Sequence, residues 1–374
     1  MENGENKALN PMVWAEIDLS ALSHNVKVIR QRLRQGTQFA AVIKKNAYGH
    51  GVIPVARRLV SIGVDYLAVY SLEEGLELRQ ANIAVPILVF RLIPPQDAKV
   101  AICEQLTPTV MEPESAIALN GAAKELNTKI KVHVKVDTGL NRSGVTLEDA
   151  AKLLPFLFSL DHLEVEGLYT HFASADEPDK TPTETQLRQF LDLARAFPSV
   201  KLLHAANSAA TLRFPETHLN MVRVGISLYG LYPSTNVEWN VPLRPLLSFK
   251  GPIVRIHRLK PGDGVGYGLT WTTANDALVA LIPAGYGDGL PRLLSNRGEA
   301  LVRGHRVPIC GRISMDQTVV DVTNVPEAEV GDVVTFIGKQ PPEEISADQV
   351  AEWANTINYE VVTALPSRLP RIYL

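Results

Sequence analysis

The sequence predicts an α/β protein: a (β/α)8 TIM-like barrel followed by a mainly antiparallel β domain. Three observations carry that reading. From residue 38, eight short β-rich runs alternate with helical patterns. Helical periodicity nearly stops close to residue 240, where VPLRPLLSFKGPIV opens a stretch punctuated by Gly, Pro, Asn and Asp. The 374 residues also exceed what a barrel needs, about 250.

The β-rich runs are QFAAVI (38–43), YLAVY (66–70), PILVF (86–90), TPTV (107–110), IKVHVKV (130–136), LEVEGLYTHF (163–172), KLLHA (201–205) and NMVRVG (220–225). Helical patterns such as SLEEGLELRQA (71–81) and PESAIALNGAAKEL (113–126) lie between them, the latter with Pro113 in its first turn. Eight strand–helix pairs favour a closed parallel barrel, with an open doubly wound sheet as the alternative. A helix precedes the first run: Leu22, Val26, Ile29 and Leu33 share a face, and Ser20 is its expected cap. Before it, VWAEIDL (13–19) is a strand left over from the count of eight, expected to pair with the second domain. The division is therefore 1–19, 20–240 and 241–374. In the last part, PIVRIHRL (252–259), DALVALIPA (276–284), EALVRG (299–304), TVVDV (318–322) and GDVVTFIG (331–338) read as strands. One helix, SADQVAEWANTIN (346–358), interrupts them.

Composition narrows the function classes. Hydrophobic residues make up 46%, enough for a sizeable core. The net charge of −3, from 37 basic and 40 acidic residues, argues against nucleic acid or a membrane surface as partner. Cys103 and Cys310 are expected to be free, buried thiols in a reducing compartment. MENGENKALNP at the amino terminus has no apolar signal core, and no run approaches the ~18 apolar residues of a membrane span. The expected location is the cytoplasm, and no metal site is expected.

Polar residues collect at the carboxyl ends of the barrel runs, where such folds place their sites. The first run leads into KKNAYGHG (44–51). Desolvation at a barrel mouth lowers a lysine's pKa and makes its amine usable for Schiff-base chemistry. Spacing alone does not choose between Lys44 and Lys45. The fifth run is followed by Arg142, the sixth by His171, the seventh by Ser208 and the eighth by Arg223, Gly225 and Ile226. Loops after the seventh and eighth strands of a barrel often bind phosphate through free backbone N–H groups, and glycine permits close approach. Alone, each residue has a plain structural reading: a core histidine, a surface ion pair, a helix cap. Together they place a lysine, two arginines, a histidine and a phosphate cradle on one rim. That combination points to pyridoxal 5'-phosphate more readily than to any other group.

At this point the chain resembles the alanine racemase family. KKNAYGHG resembles its cofactor motif, in which the lysine two before the Asn carries the cofactor; this selects Lys44. VDTGLNRSG (136–144), GLYTHFASADE (167–177), HAANSAA (204–210), NMVRVGISLYG (220–230), GDGVGYG (262–268), IPAGYGDG (282–289), GRISMDQ (311–317) and INYE (357–360) match in order along the chain. Ser314 stands where some members have Cys.

The resemblance implies the following roles. Lys44 holds pyridoxal 5'-phosphate covalently and acts as a base on one face. Tyr48, Ser208, Gly225, Ile226 and Tyr359 surround the phosphate. Arg223 meets the pyridine nitrogen, and His171 links it to Tyr267. Arg142 contacts the cofactor's phenolic oxygen and the substrate carboxylate, and Lys135 is a candidate for carbamylation beside it. Tyr267, the opposing base, and Met315, whose backbone receives the carboxylate, come from the partner of a homodimer. Asp176, Tyr286 and Arg312 line the entrance. The implied reaction interconverts L- and D-alanine, supplying D-alanine for peptidoglycan. The alternatives are a racemase of another small amino acid such as serine, a decarboxylase on the same barrel, or a cofactor-binding barrel without racemase activity. Arg223 argues against the second, because such decarboxylases place an acid at the pyridine nitrogen. The β domain argues against the third. Tyr359 and Met315 suggest a pocket near methyl size.

Overall fold

The computed structural model describes residues 12–374; the amino-terminal MENGENKALNP, read above for a signal core, lies outside them. The chain divides into two compact units. One is Leu19–Pro245; the other joins the described residues before Leu19 to Leu246–Leu374.

The first strand, β1 (Trp14–Ile17), belongs to the second unit. The first unit contains β2 (Gln38–Val42), β3 (Tyr66–Val69), β4 (Ile87–Val89), β5 (Thr107–Val110), β6 (Ile130–Lys135), β7 (Leu163–Tyr169), β8 (Leu202–His204) and β9 (Met221–Val224). They lie in the order β8-β7-β6-β5-β4-β3-β2-β9, every pairing parallel. The two ends of that order meet at Asn220. Its N–H donates to the Leu203 carbonyl at 3.0 Å, and its side-chain oxygen accepts from the Leu203 N–H at 2.9 Å. Eight parallel strands thus form a nearly closed barrel, not an open sheet. β3, β4 and β5 are buried throughout. That is why those runs read as continuous apolar stretches rather than alternating ones.

The helices follow local signals with some corrections. Ser71 and Glu74 form a capping box at the start of Leu72–Gln80, and Thr146 caps Leu147–Phe158. The first helix runs Leu19–Arg30. Ser20 therefore lies inside its first turn and is not the cap, and Leu33 lies beyond its end. Asn25, fully buried on this helix, had no sequence signal. Its amide donates to the carbonyls of Leu228 at 3.0 Å and Arg244 at 2.8 Å, and its oxygen accepts from the Arg244 N–H. Gly230 stands in the same junction at φ +79°, and a Cβ there would lie 1.9 Å from the Arg244 carbonyl oxygen. Gly230→Ala combines a left-handed penalty of about 1–2 kcal/mol with overpacking of about 1–3 kcal/mol. A drop of roughly 3 kcal/mol in the stability of this unit is expected, measured as a lower urea midpoint.

In the second unit, β10 (Leu247–Pro252), β11 (Arg255–Leu259), β12 (Gly264–Val265), β13 (Trp271–Thr272), β14 (Ala277–Ile282), β15 (Glu299–Val302), β16 (His305–Pro308), β17 (Thr318–Asp321), β18 (Val333–Gln340), β19 (Glu343–Ile345) and β20 (Arg371–Tyr373) follow. They form sheets β16-β15-β18-β10-β1-β20, with β19 on β18, then β11-β14-β17 and β12-β13. All of these pairings are antiparallel except β1 with β20. The expected strand PIVRIHRL is divided between β10 and β11. The expected single helix at 346–358 is two: Ala347–Trp353, capped by Ser346, and Asn358–Thr363. The break falls at Asn355, which adopts φ +53°, a conformation asparagine tolerates better than most residues.

No helix among the described residues is long and apolar enough to cross a membrane. Both cysteines are free, but only Cys310 is buried; Cys103, at the end of the helix Ala98–Cys103, is exposed, contrary to expectation.

Candidate active site

The segment after β2 is backbone of an uncommon kind. Lys45, Asn46, Ala47 and Tyr48 lie at φ +53°, +54°, +52° and +53°, a left-handed turn built without glycine. Each such residue costs about 1–2 kcal/mol and normally occurs singly. Here the surroundings over-determine the turn. The Lys45 N–H donates to Glu74 Oε1 at 2.7 Å, and the Ala47 N–H to the Ile43 carbonyl at 2.9 Å. Asn46 accepts from Gly51 N–H through its carbonyl at 3.0 Å and from Val52 N–H through Oδ1 at 2.8 Å. Strain of this kind concentrates at functional sites.

The turn separates the two lysines that spacing left tied. Lys44 is half-buried, whereas Lys45 is exposed with its Nζ 5.5 Å from the Tyr70 ring centre. Burial, reinforced by the charge of Arg142 and opposed by Glu74, holds the Lys44 amine below its ordinary pKa.

Arg142, exposed, sits in a loop organised by Asp137. That carboxylate accepts the N–H groups of Gly139, Leu140, Asn141 and Arg142 at 2.9–3.2 Å. Burial would raise its pKa, but these donors hold it below the usual range. Lys135, buried at the end of β6, donates to the Ser143 hydroxyl. Burial, then Arg142 and Arg223, bring its amine down to about 8. His171, just past β7, is pushed well below its usual value by burial and then by Arg223, Arg142, Lys135 and Lys44. It is a neutral imidazole. The mouth is therefore a cluster of mutually perturbing cationic groups, suited to phosphate and carboxylate oxygens.

Arg223, on β9, is buried; burial brings its guanidinium to about 10, still protonated at neutral pH. Its Nη1 lies 2.9 Å from His204 Nδ1. Nη2 donates to the Thr170 and Ala205 carbonyls at 2.7 and 3.2 Å and lies 3.3 Å from His171 Nδ1.

One residue past β9 a small cradle opens. Asn207, not Ser208, caps the short helix Ser208–Arg213. This frees the Ser208 hydroxyl to accept from the Gly225 N–H at 2.9 Å. Ile226 begins a 3-10 turn, Ile226–Tyr229, in which the buried Ser227 hydroxyl has no hydrogen-bond partner among the described residues. A Cβ at Gly225 would lie 2.6 Å from the Tyr48 hydroxyl oxygen. Burial pushes the Tyr48 phenol above its ordinary value, so it stays a neutral donor. Orphaned hydroxyl, phenol donor and absent Cβ fit a phosphate terminus. Gly225→Ala should displace the Tyr48 hydroxyl and weaken binding of a phosphate-bearing ligand by about tenfold or more, read by ligand titration. Because β2 and β9 pair in register at Ala41 and Val224, Lys44 and the cradle emerge from the same end of adjacent strands.

Asp176, half-buried beyond β7, presents its carbonyl to Ser234 Oγ at 2.9 Å. The remaining expected residues lie in the second unit. Tyr267, between β12 and β13, is 71% exposed, and Met315 is 55% exposed. Gly266 and Gly268 let the Tyr267 turn lie against Arg312, whose Nη1 would be 3.1 Å from a Cβ at Gly268. Tyr286 is exposed, and the Met315 carbonyl accepts from Gly287 N–H at 2.8 Å, joining those two loops. Tyr359 is half-buried on Asn358–Thr363. Sequence reasoning missed His204, His133 and Glu166, which continue inward from Arg223.

Comparison with known proteins identifies the family. Residues 17–233 match the family model of the alanine racemase N-terminal domain, and residues 246–373 that of the C-terminal domain. The chain is 45% identical to an alanine racemase of Halothermothrix orenii over 98% of each chain. It is 43% identical to one from Desulfovibrio desulfuricans, over 97% of this chain and 98% of the other. Among solved structures it resembles an alanine racemase of Clostridium difficile 630 with a TM-score of 0.94 and 37% identity, over 98% of this chain and 97% of that one. An alanine racemase of Bacillus anthracis with bound L-Ala-P gives a TM-score of 0.91 at 38% identity, over 98% and 96%. Two family models spanning both units, together with this full-length likeness, place the chain in the alanine racemase family, and it is an isomerase.

Proposed function

We propose that the chain interconverts L- and D-alanine using pyridoxal 5'-phosphate, by a two-base mechanism in which Lys44 and the Tyr267 of a partner subunit act on opposite faces. The observation that carries this reading is the pairing of a half-buried, depressed Lys44 amine with the Gly225–Ser208–Tyr48 cradle at neighbouring strand ends. When bound, the cofactor supplies an electron sink that weakens the substrate's Cα–H bond.

Racemisation removes a proton from one face and returns one to the other, which a single fixed group does poorly. Lys44, with its amine pKa lowered, holds the proton on the face that serves D-alanine. Tyr267 serves L-alanine. Its exposure in a single chain leaves it open to water, so a partner surface is needed to build the closed site a phenolate base requires. A twofold pair would generate two such composite sites. Arg142 and the Met315 backbone hold the carboxylate. Lys135 near pKa 8 is partly neutral at working pH, the form that adds carbon dioxide to give a carbamate and a proton. A carbamate there would steady Arg142. Tyr359 joins Tyr48, Ser208, Gly225 and Ile226 around the phosphate, and Asp176, Tyr286 and Arg312 line the entrance. Arg223 donates but cannot accept, so it keeps the pyridine nitrogen unprotonated and the sink weak, disfavouring transamination. Neutral His171 connects Arg223 towards Tyr267. The product suits peptidoglycan synthesis in the cytoplasm.

The test is Cα–H exchange in D2O with the cofactor-loaded protein. Both alanine antipodes should exchange and converge on an equal mixture without release of carbon dioxide. Carbon dioxide release would indicate a decarboxylase. Failure of both antipodes to exchange would indicate a binding barrel, and equal turnover of serine a broader racemase.

A further inference from the structure

Behind Arg223 lies a chain of buried polar groups that the reaction does not itself use. From Arg223 Nη1 it runs to His204 Nδ1 (2.9 Å), from His204 Nε2 to His133 Nδ1 (2.9 Å), and from His133 Nε2 to Glu166 Oε2 (3.3 Å). Both histidines are fully buried. The His204 ring stacks on Tyr169, its centre 4.7 Å away and nearly parallel. The carboxylate is also held by Lys131 Nζ at 2.6 Å and the Tyr66 hydroxyl at 2.8 Å.

The chain has one permitted direction. A guanidinium has donors and no acceptor. His204 Nδ1 must therefore accept, and its proton must sit on Nε2; a second acceptor on that ring would make it an imidazolate. His204 Nε2–H then donates to His133 Nδ1, which places the His133 proton on Nε2, facing the carboxylate. Burial, the largest influence on both rings, disfavours their charged forms and agrees with two neutral imidazoles. Burial would raise the Glu166 carboxyl, but hydrogen bonds from His133, Lys131 and Tyr66 hold it at about 2, so the terminus stays anionic.

The backbone makes room for this chain. Gly167 lies opposite His133 in the β6–β7 pairing, next to a register shift at Val132/His133. A Cβ at Gly167 would lie 2.8 Å from three atoms of the His133 ring. A glycine inside a strand often marks such a close approach.

We propose that Glu166 is a positioning residue for Arg223: through His133 and His204 it imposes a single donor direction and fixes the guanidinium that faces the cofactor ring. The carboxylate, itself paired with Lys131, acts on the arginine by ordering the two imidazoles between them and not by direct contact. Only the final clause of the proposal rests on the reading above; the proton positions do not.

The first test needs no variant. Histidine labelled with 15N in the cofactor-free and cofactor-loaded protein should show both His204 and His133 neutral with the proton on Nε2. An Nδ1–H tautomer or an imidazolium at His204 would overturn the proposal. Lys44 could still bind cofactor in that event, and equally the tautomers would stand if cofactor binding failed. Glu166→Gln keeps shape and removes charge. It should move the His204 and His133 ring-nitrogen shifts, shift the bound-cofactor absorbance, and lower kcat about tenfold with KM changed less than twofold. Gly167→Ala, which crowds His133 without removing a charge, should give the same spectral change. Unmoved His204 resonances and cofactor absorbance in a folded Glu166→Gln protein would reduce Glu166 to packing and end the proposal.

Discussion

Lys44→Ala should lose both tightly held cofactor and racemisation, with activity down roughly 10⁴-fold or more. On the proposed mechanism, two functions disappear with one amine: the covalent hold on the cofactor and the base on the D-alanine face. The geometry makes the effect specific. Lys44 is half-buried, with its amine depressed by burial and by Arg142. Lys45 points to solvent near Tyr70. Lys45→Ala should therefore keep the cofactor absorbance after gel filtration, and Lys44→Ala should not. The reverse pattern would move the anchor to Lys45. Loss in both variants would point to collapse of the left-handed turn, which circular dichroism and the urea midpoint would register.

Tyr267→Phe should slow proton abstraction from L-alanine by about 10²–10⁴-fold in single-turnover exchange, with a much smaller effect on D-alanine. The ring remains and only the proton acceptor is gone, so packing changes little. Equal losses from both antipodes would break the two-base assignment. The same variant tests the composite site. In a twofold dimer, a mixed pair of Lys44→Ala and Tyr267→Phe chains holds one intact site and one doubly defective site. Random mixing of the two inactive proteins should restore roughly a quarter of the original activity. If both bases came from a single chain, no mixed pair would contain an intact site and none would return.

Much of this molecule is legible in its sequence because the cues are local. The eight barrel strands announce themselves as apolar runs, for burial on both faces removes the need for alternation. Some of the runs outlast their strands: LEVEGLYTHF continues to residue 172, whereas β7 stops at Tyr169, where Thr170 and His171 turn towards Arg223. Ser20 looks like a cap, yet the helix starts one residue earlier, at Leu19. The helix at 346–358 looks continuous until Asn355 adopts a left-handed conformation. At the site, residue types at strand ends indicated the rim, but not which lysine faces inward. That choice depends on Glu74, 29 positions away, gripping the Lys45 amide. The chain behind Arg223 was invisible for the same reason. His133 and His204 are 71 residues apart, and nothing in KVHVK or LLHA distinguishes them from ordinary core histidines.

The turn that carries Lys44 also bears on how the enzyme is assembled. Four successive left-handed residues cannot nucleate from local preference, since each resists the conformation. The Glu74 carboxylate that anchors them comes from the helix Leu72–Gln80, 29 positions further along the chain. A nascent chain that has made β2 alone therefore lacks the contact that sets the turn. Lys44 takes its fixed place only after the helix Leu72–Gln80 has formed.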